Sequence, residues 1–505
     1  MASEQSKDLG KAIRGSGTNY LAALLQLGIF VFHTLAARML GKLAYGAYIF
    51  AWSIIEIANK LAVAGLDKGI MRSVATARAN HDRQAELRAL ATALRMVGLV
   101  SCTVLALVLL LAGPIADLRE VAEYAPALRA LAPLVVLWSV MMVLINATMA
   151  TRTMRYNLLV RGIADPLLMI SAILAYAVLW DSGGGVAIAL AHVTAACATM
   201  LLAFRAFGKL FDSRRIFKGM FRKKTDSDLI RFSIPVGLAE LLNQAIYRVD
   251  VIMIGILLGD PLQVANYGAC ILLSNTISSI RYAFDPILSP VVAETVVTKD
   301  NARLSYNLKM MVRWVTLLGL PLFVAMIVFG DVLLTLWGPS YSEAFPALII
   351  LAIGHLVNAV LGLHQWPIVM SGRSKLDLFN NALAFAINII LNIVLIPIWG
   401  LAGAATATLV GNIVFRSLQA IQVGIIFRIH AFSIYWLRIL VAVGLAVAVQ
   451  IGIRVLVVGP PGFIVFLFAT LIGMVVYFFV YLALGATPED KQIVSRIMGR
   501  FRRKQ

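Results

Sequence analysis

Apolar blocks of eighteen or more residues recur along this chain from about Gly15 to about Leu484. A helix needs about 20 such residues to cross a hydrocarbon core about 30 Å thick. A soluble domain carries about 45–50% apolar and about 25% charged residues, whereas 61% of this chain is hydrophobic and 14% charged. So much apolar surface has no aqueous home, and a soluble enzyme is excluded. An outer-membrane barrel is excluded as well, because its strands alternate apolar and polar over about ten residues. The chain reads as an all-α polytopic membrane protein.

Fourteen transmembrane helices are expected, near 15–39, 44–65, 89–112, 128–149, 160–180, 186–207, 231–258, 264–289, 310–330, 345–369, 379–398, 401–427, 436–457 and 463–484. The net charge of +19 would suit a nucleic-acid partner, but its distribution argues against one. Lys and Arg gather in alternate loops: Lys7 to Arg14, Lys68 to Arg88, Arg152 and Arg155, Lys209 to Lys224, Lys299 to Lys309, Arg373 and Lys375, Arg428, and the tail from Arg500 to Lys504. The opposite ends hold little beyond Arg38, Lys42, Arg119 and Arg454. This is the orientation code of a bacterial inner membrane protein with both termini cytoplasmic. The first span exceeds the apolar stretch of a signal peptide. Trp180, Trp337 and Trp399 fall at outer helix ends, where interface anchors belong. Cys102, Cys197 and Cys270 sit in apolar segments and read as core fillers.

No loop is long enough for a soluble domain, and no phosphate-binding G-x-x-x-x-G-K-[ST] motif occurs. Asp226-Ser227-Asp228 matches the D-x-D of metal-dependent glycosyltransferases, but a helix cap before the seventh span explains it better. The halves resemble each other. Leu40-Gly41 with Tyr45-Gly46 follows the first span, and Leu258-Gly259 with Tyr267-Gly268 follows the seventh. Gly183 to Gly185 and Gly400 with Gly403 precede or open Ala-rich helices at matching places. Six helices per repeat preserve orientation, so an axis along the membrane normal would relate the halves. The expected division is an N-terminal lobe (1–210), a basic cytoplasmic linker (211–230), a C-terminal lobe (231–427), and two added helices with a basic cytoplasmic tail (428–505).

Ionisable groups inside a membrane are costly and mark functional surfaces by default. Span two carries Glu56 and Lys60. Span seven carries Glu240, Gln244 and Arg248 on one stripe, with Asn243, Tyr247 and Asp250 beside it. Span eight carries Ser274, Ser278, Arg281 and Asp285, and span one carries Asn19, Gln26 and His33. These four helices correspond under the repeat, so their stripes can converge on one central cavity. The competing interpretation is pairing: Glu56 with Lys60, Arg281 with Asp285, Asp250 with Arg248. Arg416, in span twelve, either joins the cavity or pairs elsewhere. His192, His355 and His364 read as hydrogen-bonded packing residues, and Asn381, Asn388 and Asn392 as interhelical hydrogen-bond donors and acceptors.

A family resemblance rests on longer stretches. Gly338-Pro339-Ser340-Tyr341-Ser342-Glu343-Ala344 resembles the G-x-x-Y-x-x-A lead-in to the tenth span of polysaccharide flippases. Met370-Ser371-Gly372-Arg373-Ser374-Lys375, and onward through the three asparagines to Ile396-Pro397-Ile398-Trp399-Gly400, is similar to their spans eleven and twelve. Arg248-Val249-Asp250 ahead of Ile254-Gly255 resembles their seventh span. The chain thus resembles the Wzx-like polysaccharide branch of the multidrug/oligosaccharidyl-lipid/polysaccharide (MOP) exporter superfamily. That resemblance implies two six-helix lobes in a V, an alternating-access cycle, and an undecaprenyl-diphosphate-linked oligosaccharide as substrate. A related branch, which flips lipid II, has a cationic cavity formed by spans one, two, seven and eight.

The expected function is therefore a flippase and not an enzyme, with no catalytic residues, no bound metal and no cofactor, though a proton or Na⁺ could couple transport. Lys60, Arg248, Arg281 and Arg416 are the expected cations of the substrate cavity. Glu56, Glu240, Asp250, Asp285 and His33 are the expected ion-coupling or charge-balancing groups. Membrane lipid, a polysaccharide polymerase and export machinery are candidate partners. The rivals are a MATE-like ion-coupled multidrug exporter, which calls for an acidic, aromatic-lined cavity, and a membrane polysaccharide polymerase, which calls for a large outside loop.

Overall fold

The computed structural model describes residues 28–151, 153–180, 184–221, 225–429, 435–457 and 462–485. Lys7 to Arg14, Asn19, Gln26, Arg152, Gly183 and the basic tail lie outside them. The described residues are almost wholly helical and contain no strand. Twelve helices among them are long and apolar enough to cross a membrane. The other two of the expected fourteen do not meet that measure among the described residues. Gly28–Leu40 is apolar but short, and the expected start of that span lies outside the described residues. Pro261–Val297 has 37 residues and is long enough to span, but it carries Arg281 and Asp285 in its interior.

Several spans are broken where the sequence demands it. Lys42–Val63 ends as Ala64 and Gly65 turn left-handed, and the helix restarts as Leu66–Ala79. The fourth span divides into Tyr124–Leu131 and Leu134–Ala150 around Pro133. The fifth passes through a π-helical turn, Leu158–Ala164, ahead of Pro166, whose missing N–H cannot continue an α-helical ladder. The tenth changes from α-helix at Phe345–Leu361 to a 3₁₀ turn at Gly362–His364.

The linker expected over 211–230 is mostly helical. Ser213–Met220 forms a short helix that buries Ile216 against a core containing Leu94, Phe207 and Phe211. Span seven starts within that range, as Ser227–Leu258. Asp226 caps it, its carboxylate accepting the Leu229 N–H at 3.0 Å, so the D-x-D stretch here is a helix start.

The helices before and after the linker pack in two sets, and the seam between them runs along span two. Near one end of that helix Gly46 lies so close to the Pro261 carbonyl that a Cβ would approach its oxygen to 1.8 Å. Near the other end a Cβ on Gly237 would sit 2.4 Å from the carbonyl carbon of Ala64. Only glycine allows such backbone contacts. The last two helices, Tyr435–Leu456 and Phe463–Ala483, pack outside both sets. Their Ile439, Ala442 and Tyr477 form a small core with Leu320 of Asn301–Leu334.

Three sequence expectations change on this frame. Trp337 is no interface anchor: it is 1% exposed and packs edge-on against Phe30. Cys102 and Cys197 are exposed on the helix bundle, and only Cys270 is buried. Each of the four exceptions to the charge bias has a specific partner, and two of them bind helix C-termini. Arg38 donates to the carbonyls of Leu336 and Thr335 at 2.6 and 2.7 Å. Lys42 donates to the Ser340 carbonyl at 3.0 Å, and Arg119 to that of Ile256 at 2.6 Å. Arg454 pairs with Asp331 at 2.7 Å. Unsatisfied carbonyls and the helix dipole at a C-terminus favour Arg38 and Arg119 in their places, whereas Lys42 binds the opening of a 3₁₀ helix and Arg454 a carboxylate. Arg38, Lys42 and Arg119 also tie the first helix set to the second.

Candidate functional site

The stripes on spans two and seven meet across the seam. The Lys60 ammonium reaches Glu240 at 2.8 Å. One helical turn along, Glu56 forms an ion pair with Arg248 and accepts a hydrogen bond from Gln244 at 3.2 Å. The intrahelical pairing of Glu56 with Lys60 is therefore not what forms: each charge finds its opposite on the facing helix. The same order on two antiparallel helices makes this possible, acid then base on span two against acid, amide and base on span seven.

Beside the Glu56–Arg248 pair lies a cavity of about 280 Å³. Span two gives it Glu56, span seven gives Tyr247 and Arg248, and span eight gives Tyr267 and Tyr282. Spans ten to twelve close it with His355, Asn388, Thr408 and Phe415. Asp250 lines it too, but makes no pair with Arg248. Its carboxylate is buried and accepts from Tyr267 at 3.2 Å, from Asn392 at 2.7 Å and from Thr408. Asn392 also donates to Asn388 at 3.0 Å, so two of the three asparagines of span eleven serve this carboxylate, whereas Asn381 donates to the Asp377 carbonyl of its own helix at 2.9 Å.

The other expected cations sit elsewhere. Arg281 is not among the cavity's lining residues. Its side chain is 5% exposed, and it donates to the Gly362 carbonyl at 3.2 Å. The Gly362 carbonyl also accepts the Gln365 N–H that closes the 3₁₀ turn, so the guanidinium is its second donor. Gly362 also supplies the space, since a Cβ there would lie 2.6 Å from Arg281 Nη1. Asp285 stands 4.0 Å from Arg281 and accepts from the Trp366 indole at 2.8 Å. Arg416 is buried and donates to Asn358 at 2.7 Å and to Gln419 at 2.8 Å. Gln419 in turn donates to Asp377 at 2.7 Å. Lys60 and Glu240 form the outer margin of the seam rather than the cavity wall.

His33 is buried away from the cavity, its Nδ1 3.1 Å from the Tyr45 hydroxyl. The repeat is visible here, since Tyr45 meets a polar group of span one as Tyr267 meets Asp250 of span seven. His192, His355 and His364 each have a hydrogen-bond partner, namely Tyr48, Ser278 and the Leu361 carbonyl. Thr408, Trp366, Asp377 and Gln419 escaped the sequence reasoning because none belongs to a charged stripe. Asp377 opens its helix, where an acid is unremarkable. Among the described residues no three His, Cys, Asp or Glu side chains gather as metal ligands would.

The all-helical fold built around this seam is shared with solved structures. The chain is similar to a structure of the lipid II flippase MurJ in an inward closed conformation, with a TM-score of 0.70 and 15% identity over 93% of this chain and 98% of that one. It is also similar to an inward-facing multidrug resistance MATE transporter of the MOP superfamily, with a TM-score of 0.66 and 13% identity over 81% of this chain and 98% of that one. For a Vibrio cholerae MATE transporter the TM-score is 0.58, with 15% identity over 84% and 98% of the two chains. These likenesses define the fold. The family comes from sequence: a family model described as polysaccharide biosynthesis protein matches residues 13–296, more than half of the chain, and the protein belongs to that family. An uncharacterized membrane protein of Methanocaldococcus jannaschii is 25% identical over 238 residues, 46% of this chain and 55% of that protein. The chain thus spans about half the length of this relative.

Proposed function

We propose that the protein is a flippase that moves an undecaprenyl-diphosphate-linked oligosaccharide from the cytoplasmic to the periplasmic leaflet of a bacterial inner membrane. It would act by alternating access, in the service of O-antigen, capsule or exopolysaccharide export. The observation that carries this reading is Arg248, held in a cavity within the membrane and facing Glu56 across the seam. A diphosphate does not cross about 30 Å of hydrocarbon unpaired, and a guanidinium receives phosphate through two parallel hydrogen bonds. The polyprenyl tail would stay in lipid while the sugars pass between an N-terminal lobe (1–210) and a C-terminal lobe (231–427). Lys60 at the margin, with Arg281 and Arg416 behind the wall, would extend the positive field. Glu56, Glu240, Asp250 and Asp285 would trim it so that the anion can leave, and Asp250 is the group best surrounded to exchange a proton or Na⁺. No bond is made or broken in this scheme, so the protein is not an enzyme. Both termini would be cytoplasmic.

One observation favours a second reading, an ion-coupled exporter of organic cations. The cavity holds two carboxylates, Glu56 and Asp250, with Tyr247, Tyr267, Tyr282 and Phe415, which is the acidic, aromatic lining such a transporter needs. Membership of a polysaccharide biosynthesis family weighs against it. Mass spectrometry of lipids copurifying with the protein separates the two. A polyprenyl-diphosphate sugar is expected. Its absence, together with proton- or Na⁺-driven efflux of organic cations in proteoliposomes, would overturn the flippase reading.

A further inference from the structure

The linker helix Ser213–Met220 carries a feature that transport between the lobes does not use. It lies against the first turns of Arg83–Asp117, so closely that a Cβ on Gly219 would meet the Ala91 Cβ at 3.1 Å. Between the two helices runs a groove of about 620 Å³. Its apolar surfaces are Leu87, Ala91 and Gly219, and its rim is Arg83, Arg88, Arg215 and Lys218. No acidic residue lines it. Arg215 has a carboxylate neighbour, Asp212 at 3.0 Å, whereas Arg83, Arg88 and Lys218 make no ion pair among the described residues. Three cations around one apolar groove repel one another, and an anion bound among them would relieve that repulsion.

The apolar flank of the linker helix indicates where that anion comes from. Phe217 stacks on Phe204 with ring centroids 5.7 Å apart. Phe217 and Phe221 are 39% and 90% exposed, and Leu201 on the neighbouring helix is 67% exposed. Large apolar side chains exposed beside a cationic face are the pattern of a helix lying in the membrane interface. The groove shares no residue with the cavity at the lobe seam. We infer that it is a binding site for an anionic phospholipid of the surrounding leaflet. The phosphate would sit among Arg83, Arg88, Arg215 and Lys218, and the glycerol and upper acyl chains would lie on Leu87, Ala91 and Gly219. Basic pockets at the cytoplasmic ends of helices select anionic headgroups in this way.

The test is native mass spectrometry of the full chain in detergent, titrated with phosphatidylglycerol or phosphatidylcholine. The variants are the fourfold neutral protein (Arg83→Gln, Arg88→Gln, Arg215→Gln, Lys218→Gln) and the charge-retaining Arg83→Lys/Arg88→Lys/Arg215→Lys. The wild type should bind phosphatidylglycerol more tightly than phosphatidylcholine, and the neutral variant should lose about tenfold or more in phosphatidylglycerol affinity. The Lys variant should keep most of it, which separates charge from folding. Equal phosphatidylglycerol binding by the wild type and the neutral variant would overturn the inference. So would a groove whose bound lipid is displaced by undecaprenyl diphosphate but not by phosphatidylglycerol, since the site would then belong to the transported lipid.

Discussion

Removing one charge from the seam should open it. The ion pair between Glu56 and Arg248 joins span two to span seven, and the two side chains are 17% and 22% exposed. Unit charges about 4 Å apart attract by about 4 kcal/mol at an effective dielectric of about 20. Desolvation opposes much of this, and fully exposed pairs retain about 1 kcal/mol or less. A pair buried to this degree should retain about 2 kcal/mol. Since 1.4 kcal/mol is tenfold, Glu56→Gln should shift the ratio of open to closed seam by about thirtyfold. The shift can be read by pulsed electron resonance between spin labels at Thr76 and Arg231, which lie on opposite sides of the seam. The exposed Cys102 and Cys197 must first be replaced by Ser. The charge-swapped double variant Glu56→Arg/Arg248→Glu should restore the closed distance, because the pair is re-formed in reverse. An unchanged distance distribution in Glu56→Gln, or no recovery in the double variant, would refute the reasoning. Lys60 and Glu240, at 29% and 36% exposure, should give a smaller shift in the same assay.

Two further expectations follow from the packing. Arg38→Ala/Arg119→Ala removes three hydrogen bonds between the helix sets, and should raise thiol labelling of a cysteine placed at Ser340, with unchanged labelling taken as contrary. Trp337→Ala should lower stability by about 3–5 kcal/mol, as truncation of a buried aromatic does. Trp399→Ala, at a residue 57% exposed, should change the melting temperature little, and equal losses for the two would contradict the placement of Trp337.

The helices were legible because hydropathy and length decide them, and the seam because charge in a membrane is rare enough to notice. Span eight shows the limit of the first criterion. Its polar interior keeps it from reading as a span by composition, while the sequence repeat identifies it as the partner of span two. Pairing was the harder problem. Glu56 and Lys60 are one turn apart and look self-sufficient, and only the facing order of Glu240 and Arg248 shows that both pair outward. Arg281 could not be placed from its stripe, because its partner is a backbone carbonyl within a 3₁₀ turn that no residue pattern announced. Trp337 misled for a similar reason: position at a helix end does not say whether lipid or another helix lies beyond it.

In the described conformation each expected cation is already engaged. Lys60 is held by Glu240, Arg248 by Glu56, Arg281 by the Gly362 carbonyl and Arg416 by Asn358 and Gln419. Under the proposed function, an arriving diphosphate would therefore compete for a guanidinium rather than fill an empty site. At Arg416 that competition would leave the buried side-chain oxygens of Asn358 and Gln419 unpaired, at a cost of about 1–3 kcal/mol each, and at Arg281 it would remove one of the two donors to the Gly362 carbonyl. At Arg248 it would instead release Glu56, a part-exposed carboxylate on the opposite helix set that water can take up. Arg248 is thus easier for an anion to win than Arg281 or Arg416, and unlike theirs its capture breaks a tie between spans two and seven. A ligand shifts a conformational equilibrium only through its different affinities for the two states. Under the proposed function, competition at Arg248 supplies that difference: the diphosphate binds better where Glu56 has already moved away, so binding and separation of the helix sets favour each other.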